Sequence, residues 1–266
     1  MTSNRTMSNR MMSNLSAELS TALEAAERAA EIARSLYHRN VQVRIKEDKT
    51  PVTEADVRCE EAIRNLLEAR FPEYGFYGEE TGAHRTQAES LWLVDPIDGT
   101  KAFVREYPFF STQIALMRRG ELVLGVSSAP LYGEIACAER GRGAYLNGRP
   151  IHVSEVAVLA DATLSSGNLA SLARSTRWPA YGALVSQVSR GRGYGDFLHY
   201  HLLAAGKIDA VLESDVNILD IAALAAIVTE AGGRFTDLEG APITLETTSV
   251  LATNAHLHSR LIEALR

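Results

Sequence analysis

Trp92-Leu93-Val94-Asp95-Pro96-Ile97-Asp98-Gly99-Thr100 runs an apolar stretch straight into two carboxylates three residues apart. Four to eight apolar residues bounded by turn formers read as a buried strand. A strand end holds its side chains rigidly, which suits groups that must keep a fixed geometry. Pro96 fixes its own φ, and Gly99 allows the backbone to approach a ligand closely. Two carboxylates held this near each other repel unless a cation lies between them. Hard oxygen donors suit magnesium or manganese, not zinc. A simple turn capped by Asp98 is the plainer alternative.

Outward from this stretch, three further segments place acids near structural boundaries. Gly78-Glu79-Glu80-Thr81-Gly82 follows a strand-like run, Tyr74 to Tyr77, and is either a solvated acidic loop or a source of one more ligand. Asn217-Ile218-Leu219-Asp220 precedes the apolar face of Ile221, Leu224, Ala225 and Val228, so Asp220 reads as a helix N-cap and also as a possible ligand. Lys46-Glu47-Asp48-Lys49-Thr50-Pro51-Val52-Thr53-Glu54-Ala55-Asp56 ends in a threonine and an acid three apart, which form a capping pair if nothing else.

Composition limits the possible partners. The chain has 266 residues, 46% hydrophobic and 23% charged, enough for one large globular unit or two lobes. Lysine and arginine number 27 against 33 aspartates and glutamates, a net charge of -6. Nucleic-acid binding draws largely on basic residues, so no nucleic-acid partner is expected. An acidic protein acting on a phosphate needs a cation to offset the repulsion. Cys59 and Cys137 fit neither a zinc pattern nor a disulfide framework. No apolar run reaches about 18 residues and no secretory leader is visible, so the expectations are no membrane partner and a cytoplasmic location.

Periodicity predicts helices over Leu15–Tyr37, from Glu54 to about Ala69, and near Gly195–Ala205, Asp220–Ala231 and His256–Leu265. Strands are expected at Val41–Ile45, Leu91–Val94, Ser111–Met117, Leu122–Ser127, Glu134–Glu139 and Ala144–Leu146. Others are expected near Ala162–Ser165, Arg192–Tyr194 and Ala210–Leu212. The implied organisation is a disordered tail over residues 1–14, an α+β lobe over 15–150 and an α/β lobe over 151–266. His199 and His201 show no spacing with a third metal ligand and read as surface or packing residues.

Taken in order, PVTEAD (51–56), GEE (78–80), WLVDPIDGTKAF (92–103) and the late DIAALAAIVTEAGG (220–233) resemble the inositol-monophosphatase-like family of metal-dependent phosphatases. The likeness covers nearly all of the chain after the tail. Within that family, DPIDGTKAFVREYP from Asp95 and RGYGDFLHYHLLAAGKID from Arg192 look most like bacterial histidinol-phosphate phosphatases. Leu219 stands where the family usually has tryptophan.

The resemblance implies an α/β, layered αβαβα sandwich with two sheet-containing lobes. It implies a homodimer that hydrolyses a small phosphate monoester with two or three Mg2+ ions, Mn2+ being a possible substitute. The implied metal ligands are Glu79, Asp95, the Ile97 carbonyl, Asp98 and Asp220. Glu79 and Thr100 would orient and activate water, Asp56 would act through water near the most weakly held ion, and Thr53 is counted with them among the catalytic residues. Lys46, Gly99, Thr100, Arg192, Asp196 and Glu213 would meet the substrate, with Asp196 and Glu213 forming an acidic wall for a cationic leaving group. Asp196 reads equally as a helix N-cap. Inositol monophosphatase or bisphosphate nucleotidase activity stays open, and so, more distantly, does a non-catalytic interaction protein on the same fold.

Overall fold

The computed structural model describes residues 15–39, 43–45 and 51–266. The expected tail over 1–14, residues 41 and 42 of the expected strand, and Lys46 lie outside them. An eight-stranded sheet orders its strands as Arg149–Ile151, Ala144–Leu146, Glu134–Glu139, Glu121–Ala129, Ser111–Arg118, Ser90–Asp98, Gly75–Gly78 and Gly82–His84. Within the strand Ser90–Asp98 the run Leu91–Val94 is apolar without a break because both of its faces are covered. Trp92 and Val94, with Ile114, Leu116, Leu124 and Val126, pack under the helices Ala17–Leu36 and Glu54–Arg70. Leu91 and Leu93, with Ala115 and Met117, point the other way. There they meet the helices Asp196–Ala204 and Ile218–Glu230.

A five-stranded sheet follows, ordered Arg190–Arg192, Thr163–Ser166, Ala210–Ser214, Ser249–Thr253 and Arg234–Thr236. Side chains alternate across it. Val211, Val250 and Ala252 join the core shared with the helices Asp196–Ala204 and Ile218–Glu230. Leu212 and Leu251 face a third cluster with Leu172, Leu184, Leu257 and Leu261. The layers are therefore helix, sheet, helix, sheet, helix, the αβαβα sandwich implied by the resemblance. No helix among the described residues is long and apolar enough to cross a membrane.

The helix Ile218–Glu230 is rich in alanine, which lets it lie close on the first sheet. At Gly125 a Cβ atom would stand 2.3 Å from the Ala223 carbonyl oxygen. Ser16 caps the first helix through its side chain, 3.0 Å from Leu19 N. The strand expected at Arg192–Tyr194 lies two residues earlier, at Arg190–Arg192. Helices Leu169–Arg174 and Trp178–Val185 were not anticipated. Both are short, neither has a side-chain cap, and the second contains a proline, so no periodic signal marks them. Leu219, in the usual tryptophan position, is buried in the shared core at 4% exposure.

Gly125→Ala is expected to lower the urea-unfolding free energy by about 1–3 kcal/mol, the usual cost of overpacking. Gly182→Ala, in an exposed helix position with open space around it, is expected to raise it by about 0.5–1 kcal/mol. A neutral Gly125→Ala would show that the helix is not held against the sheet at this distance.

Candidate metal centre

Asp95 and Asp98 stay paired with the strand Ser111–Arg118, opposite Gln113 and Ser111, on either side of a register shift that turns the chain between them. Asp95 Oδ1 accepts the Ile97 N–H at 2.9 Å, which holds the turn from within. Gly99 has φ +92°, and a Cβ there would stand 2.6 Å from the Phe109 carbonyl oxygen. A short helix, Thr100–Val104, starts immediately after it.

Asp220 arrives from the helix Ile218–Glu230. It is not the N-cap as expected. Asn217 occupies that position and accepts from Leu219 N at 2.7 Å, while Asp220 closes a capping box from the third helical residue. Its Oδ2 accepts from Asn217 N at 3.0 Å and its Oδ1 from Asn217 Nδ2 at 2.8 Å. Carboxylate oxygens of Asp95, Asp98 and Asp220 all lie within 4.8 Å of one another. Glu79 follows the strand Gly75–Gly78, and its N–H donates to the Val94 carbonyl at 3.2 Å.

Burial and mutual repulsion are plain in the acidities. Burial, then Glu79, Asp98 and Asp220, hold the Asp95 carboxyl well above the usual carboxylate range. Burial, then Asp196, Asp220 and Glu213, do the same to Asp98. Asp220 is pushed up to about 7 by burial and by Glu79 and Glu213, against the lowering effect of its Asn217 bonds. Buried Asp95 and half-buried Asp98 and Asp220, gathered at the end of one strand and one helix, form the oxygen donor set a hard divalent cation requires. The residues present therefore fit such an ion.

Asp56 is fully buried and does two jobs at once. Its Oδ2 accepts from Thr53 N at 2.7 Å and from Thr53 Oγ1 at 2.6 Å, closing the capping box of the helix Glu54–Arg70. Its Oδ1 lies 3.0 Å from Thr100 Oγ1, which also lies 3.1 Å from the Ile97 carbonyl oxygen. Burial, offset by the threonine bonds, raises the Asp56 carboxyl.

Sequence reasoning missed Glu60, one turn beyond Asp56 on the same helix face. It is fully buried, and its two oxygens accept Glu80 N at 2.8 Å and Thr81 N at 2.7 Å, clamping the loop that carries Glu79. The available signal was an acid on the apolar face shared with Ile63 and Leu67.

The acidic wall is only partly as expected. Glu213, on the strand Ala210–Ser214, is buried and accepts Tyr200 Oη at 2.8 Å, with His199 Nε2 at 3.1 Å. Asp196 begins the helix Asp196–Ala204, and Gly195, not Asp196, holds the N-cap position. Burial and Glu213 push Asp196 up to about 6, against the pull of His199 and Lys101. Arg192 stands apart from this hydrogen-bonded set. It is exposed, and its guanidinium donates to the Gly191 carbonyl at 2.7 Å. His199 and His201 are buried, at 0% and 1% exposure, so the surface half of that expectation fails and the packing half holds.

A family model described as "Inositol monophosphatase family" matches residues 14–266. A histidinol-phosphatase of Mycobacterium tuberculosis is 41% identical over 245 residues, covering 90% of this chain and 94% of that protein. An inositol-1-monophosphatase of Rhizobium meliloti is 36% identical over 238 residues, covering 85% and 87%. The crystal structure of extragenic suppressor protein suhB from Bartonella henselae superimposes with a TM-score of 0.87 at 32% identity, covering 94% of this chain and 99% of that one.

Raised carboxyl values make the metal-free fold pH-dependent. Asp220 and Asp196 start from 3.8 and rise to about 7 and about 6. Their protonation therefore stabilises the fold fully below about pH 4 and is lost as pH rises through 6 to 7. With EDTA present the thermal midpoint should fall between about pH 5 and pH 8. Added Mg2+ should remove most of that fall. A midpoint shift from Mg2+ that is equal at both pH values would contradict the cluster's role.

Proposed function

The chain belongs to the inositol monophosphatase family, and from that premise we propose that this phosphatase hydrolyses L-histidinol phosphate to L-histidinol and inorganic phosphate. The observation that carries the choice of substrate is Glu213. A buried carboxylate fixed by Tyr200 and His199, beside Asp196 and near Asp98, favours a leaving group that carries positive charge. Histidinol carries an ammonium and an imidazole, and the 41% identity to a histidinol-phosphatase supports the same choice.

In this reading Glu79, Asp95, Asp98, Asp220 and the Ile97 carbonyl would hold Mg2+, in two or three positions, with Mn2+ as a substitute. Bound divalent cations supply positive charge to the phosphoryl oxygens and acidify water. The chain's own groups then set the geometry. Thr100 Oγ1 has one hydrogen, and Asp56 Oδ1 at 3.0 Å is an anionic acceptor for it. The hydroxyl oxygen is thereby left to accept from the attacking water and orient it. Thr53 keeps Asp56 in place through two bonds to Oδ2. Glu79 takes the water's proton. The N–H groups at Gly99 and Thr100 start a helix, where a phosphate is favoured. The phosphoryl group passes directly to water, the P–O bond to histidinol breaks, and the departing alkoxide takes a proton from solvent, to which Glu79 returns the one it received. The homodimer expected from the resemblance rests on it alone.

Carboxylates can also accept hydroxyl groups, so a polyol phosphate is the rival. With purified enzyme and Mg2+, kcat/KM on L-histidinol phosphate should exceed that on inositol 1-phosphate and adenosine 3',5'-bisphosphate by about tenfold or more, since one charge-assisted contact is worth about 1.4 kcal/mol or above. Asp196→Ala and Glu213→Ala should cost histidinol phosphate about 10-fold to 100-fold more than glycerol phosphate. Equal losses on both substrates, or a preference for inositol 1-phosphate, would overturn the assignment.

A further inference from the structure

We propose that Gln113 is a positioning residue of the metal centre, holding Asp98 in one orientation through Ser111 from an outer anchor formed by Ser127, His201 and Glu134. The inference rests on the reading of Asp98 as a cation ligand. Ser111 faces Asp98, and Gln113 faces Asp95, across the pairing of Ser90–Asp98 with Ser111–Arg118. On its other side Gln113 faces Ser127. Residues paired across strands share one sheet face, so these side chains form a row leading away from the carboxylates. Ser111, Gln113, Ser127 and His201 are each at most 1% exposed, so their polar atoms must find partners within the protein.

The contacts run without a gap. Gln113 Nε2 lies 2.8 Å from Ser111 Oγ and 3.1 Å from Ser127 Oγ. Ser111 Oγ lies 3.2 Å from Asp98 Oδ2. Ser127 Oγ lies 2.9 Å from His201 Nε2, and His201 Nδ1 lies 3.0 Å from Glu134 Oε2.

The Gln113 amide nitrogen lies between the two serines, and the direction of the row follows from that placement. The Gln113 amide nitrogen has two hydrogens, one for each serine. Each serine accepts one and has its own left to donate. Ser111 gives its hydrogen to Asp98, and Ser127 gives its hydrogen to His201 Nε2. His201 then carries its hydrogen on Nδ1 and donates it to Glu134. With the amide reversed, its oxygen would take both serine hydrogens, and a serine lone pair would face the Asp98 carboxylate. With the amide nitrogen between the two serines, Ser111 gives Asp98 Oδ2 a donor.

A second observation favours this role over packing. Gln113 Oε1 is buried and has no hydrogen-bond partner among the described residues. A half-satisfied amide is a poor core filler, and an apolar side chain would serve packing better. The amide is explained by its two N–H bonds.

The test measures Mn2+ binding by electron paramagnetic resonance on the intact protein, with metal-free folding checked by circular dichroism in EDTA. Wild type should bind Mn2+, and its failure to do so would contradict the ligand reading itself, before any variant is compared. Ser111→Ala and Gln113→Leu should each raise the Mn2+ Kd about tenfold, as loss of an outer support does. The double variant should match the single variants, because both remove one chain of bonds. Kd values within about twofold of wild type, or losses that multiply in the double variant, would overturn the proposal. If Gln113→Leu does not fold, Ser111→Thr decides: it restores the hydroxyl and should recover the affinity that Ser111→Ala loses, and equal losses in both would overturn the proposal.

Discussion

Like charge held together in a low-dielectric interior is the constraint on which this molecule depends. Oxygens of Asp95, Asp98 and Asp220 lie within 4.8 Å of one another, and burial adds to their repulsion. Such a group drifts apart or takes up protons unless its backbone is fixed and a cation is supplied. The surrounding fold supplies the fixing. Asp95 and Asp98 stand at the end of a strand buried on both faces, and Asp220 is locked into a capping box. Two further buried acids on one helix, Asp56 and Glu60, hold Thr100 and the Glu79 loop through hydrogen bonds. Carboxylates thus serve as ligands in one layer and as braces in the next.

The helix Asp196–Ala204 ties the two halves of the site together. Alternate histidines on it face different ways: His199 meets Glu213, and His201 meets Ser127 and Glu134. The wall assigned to the leaving group and the row leading to Asp98 therefore hang on one rigid element. Its first residue, Asp196, has φ +45°, a backbone conformation that asparagine and aspartate tolerate better than most residues. That places its carboxylate near Glu213 without lengthening the helix.

Much of this was readable from the chain, and the misses have physical reasons. The apolar run ending in Asp95 and Asp98 announced itself because a strand covered on both faces has no polar positions to dilute the signal. Thr53 and Asp56 were legible as a capping pair because that motif is local. Asp220 was placed one capping role away from its true position because Asn217 and Asp220 are both good N-terminal residues and only the backbone distinguishes them. Glu60 and Gln113 were missed because their partners lie across the fold, where periodicity says nothing.

The most direct test of the account is a crystal of the protein grown with Mn2+, a stand-in for Mg2+ that scatters anomalously. The account predicts anomalous density between Asp95, Asp98, Asp220 and Glu79, with ligand distances of about 2.1 Å. Mn2+ absent from this cluster at saturating concentration, or bound elsewhere, would contradict it.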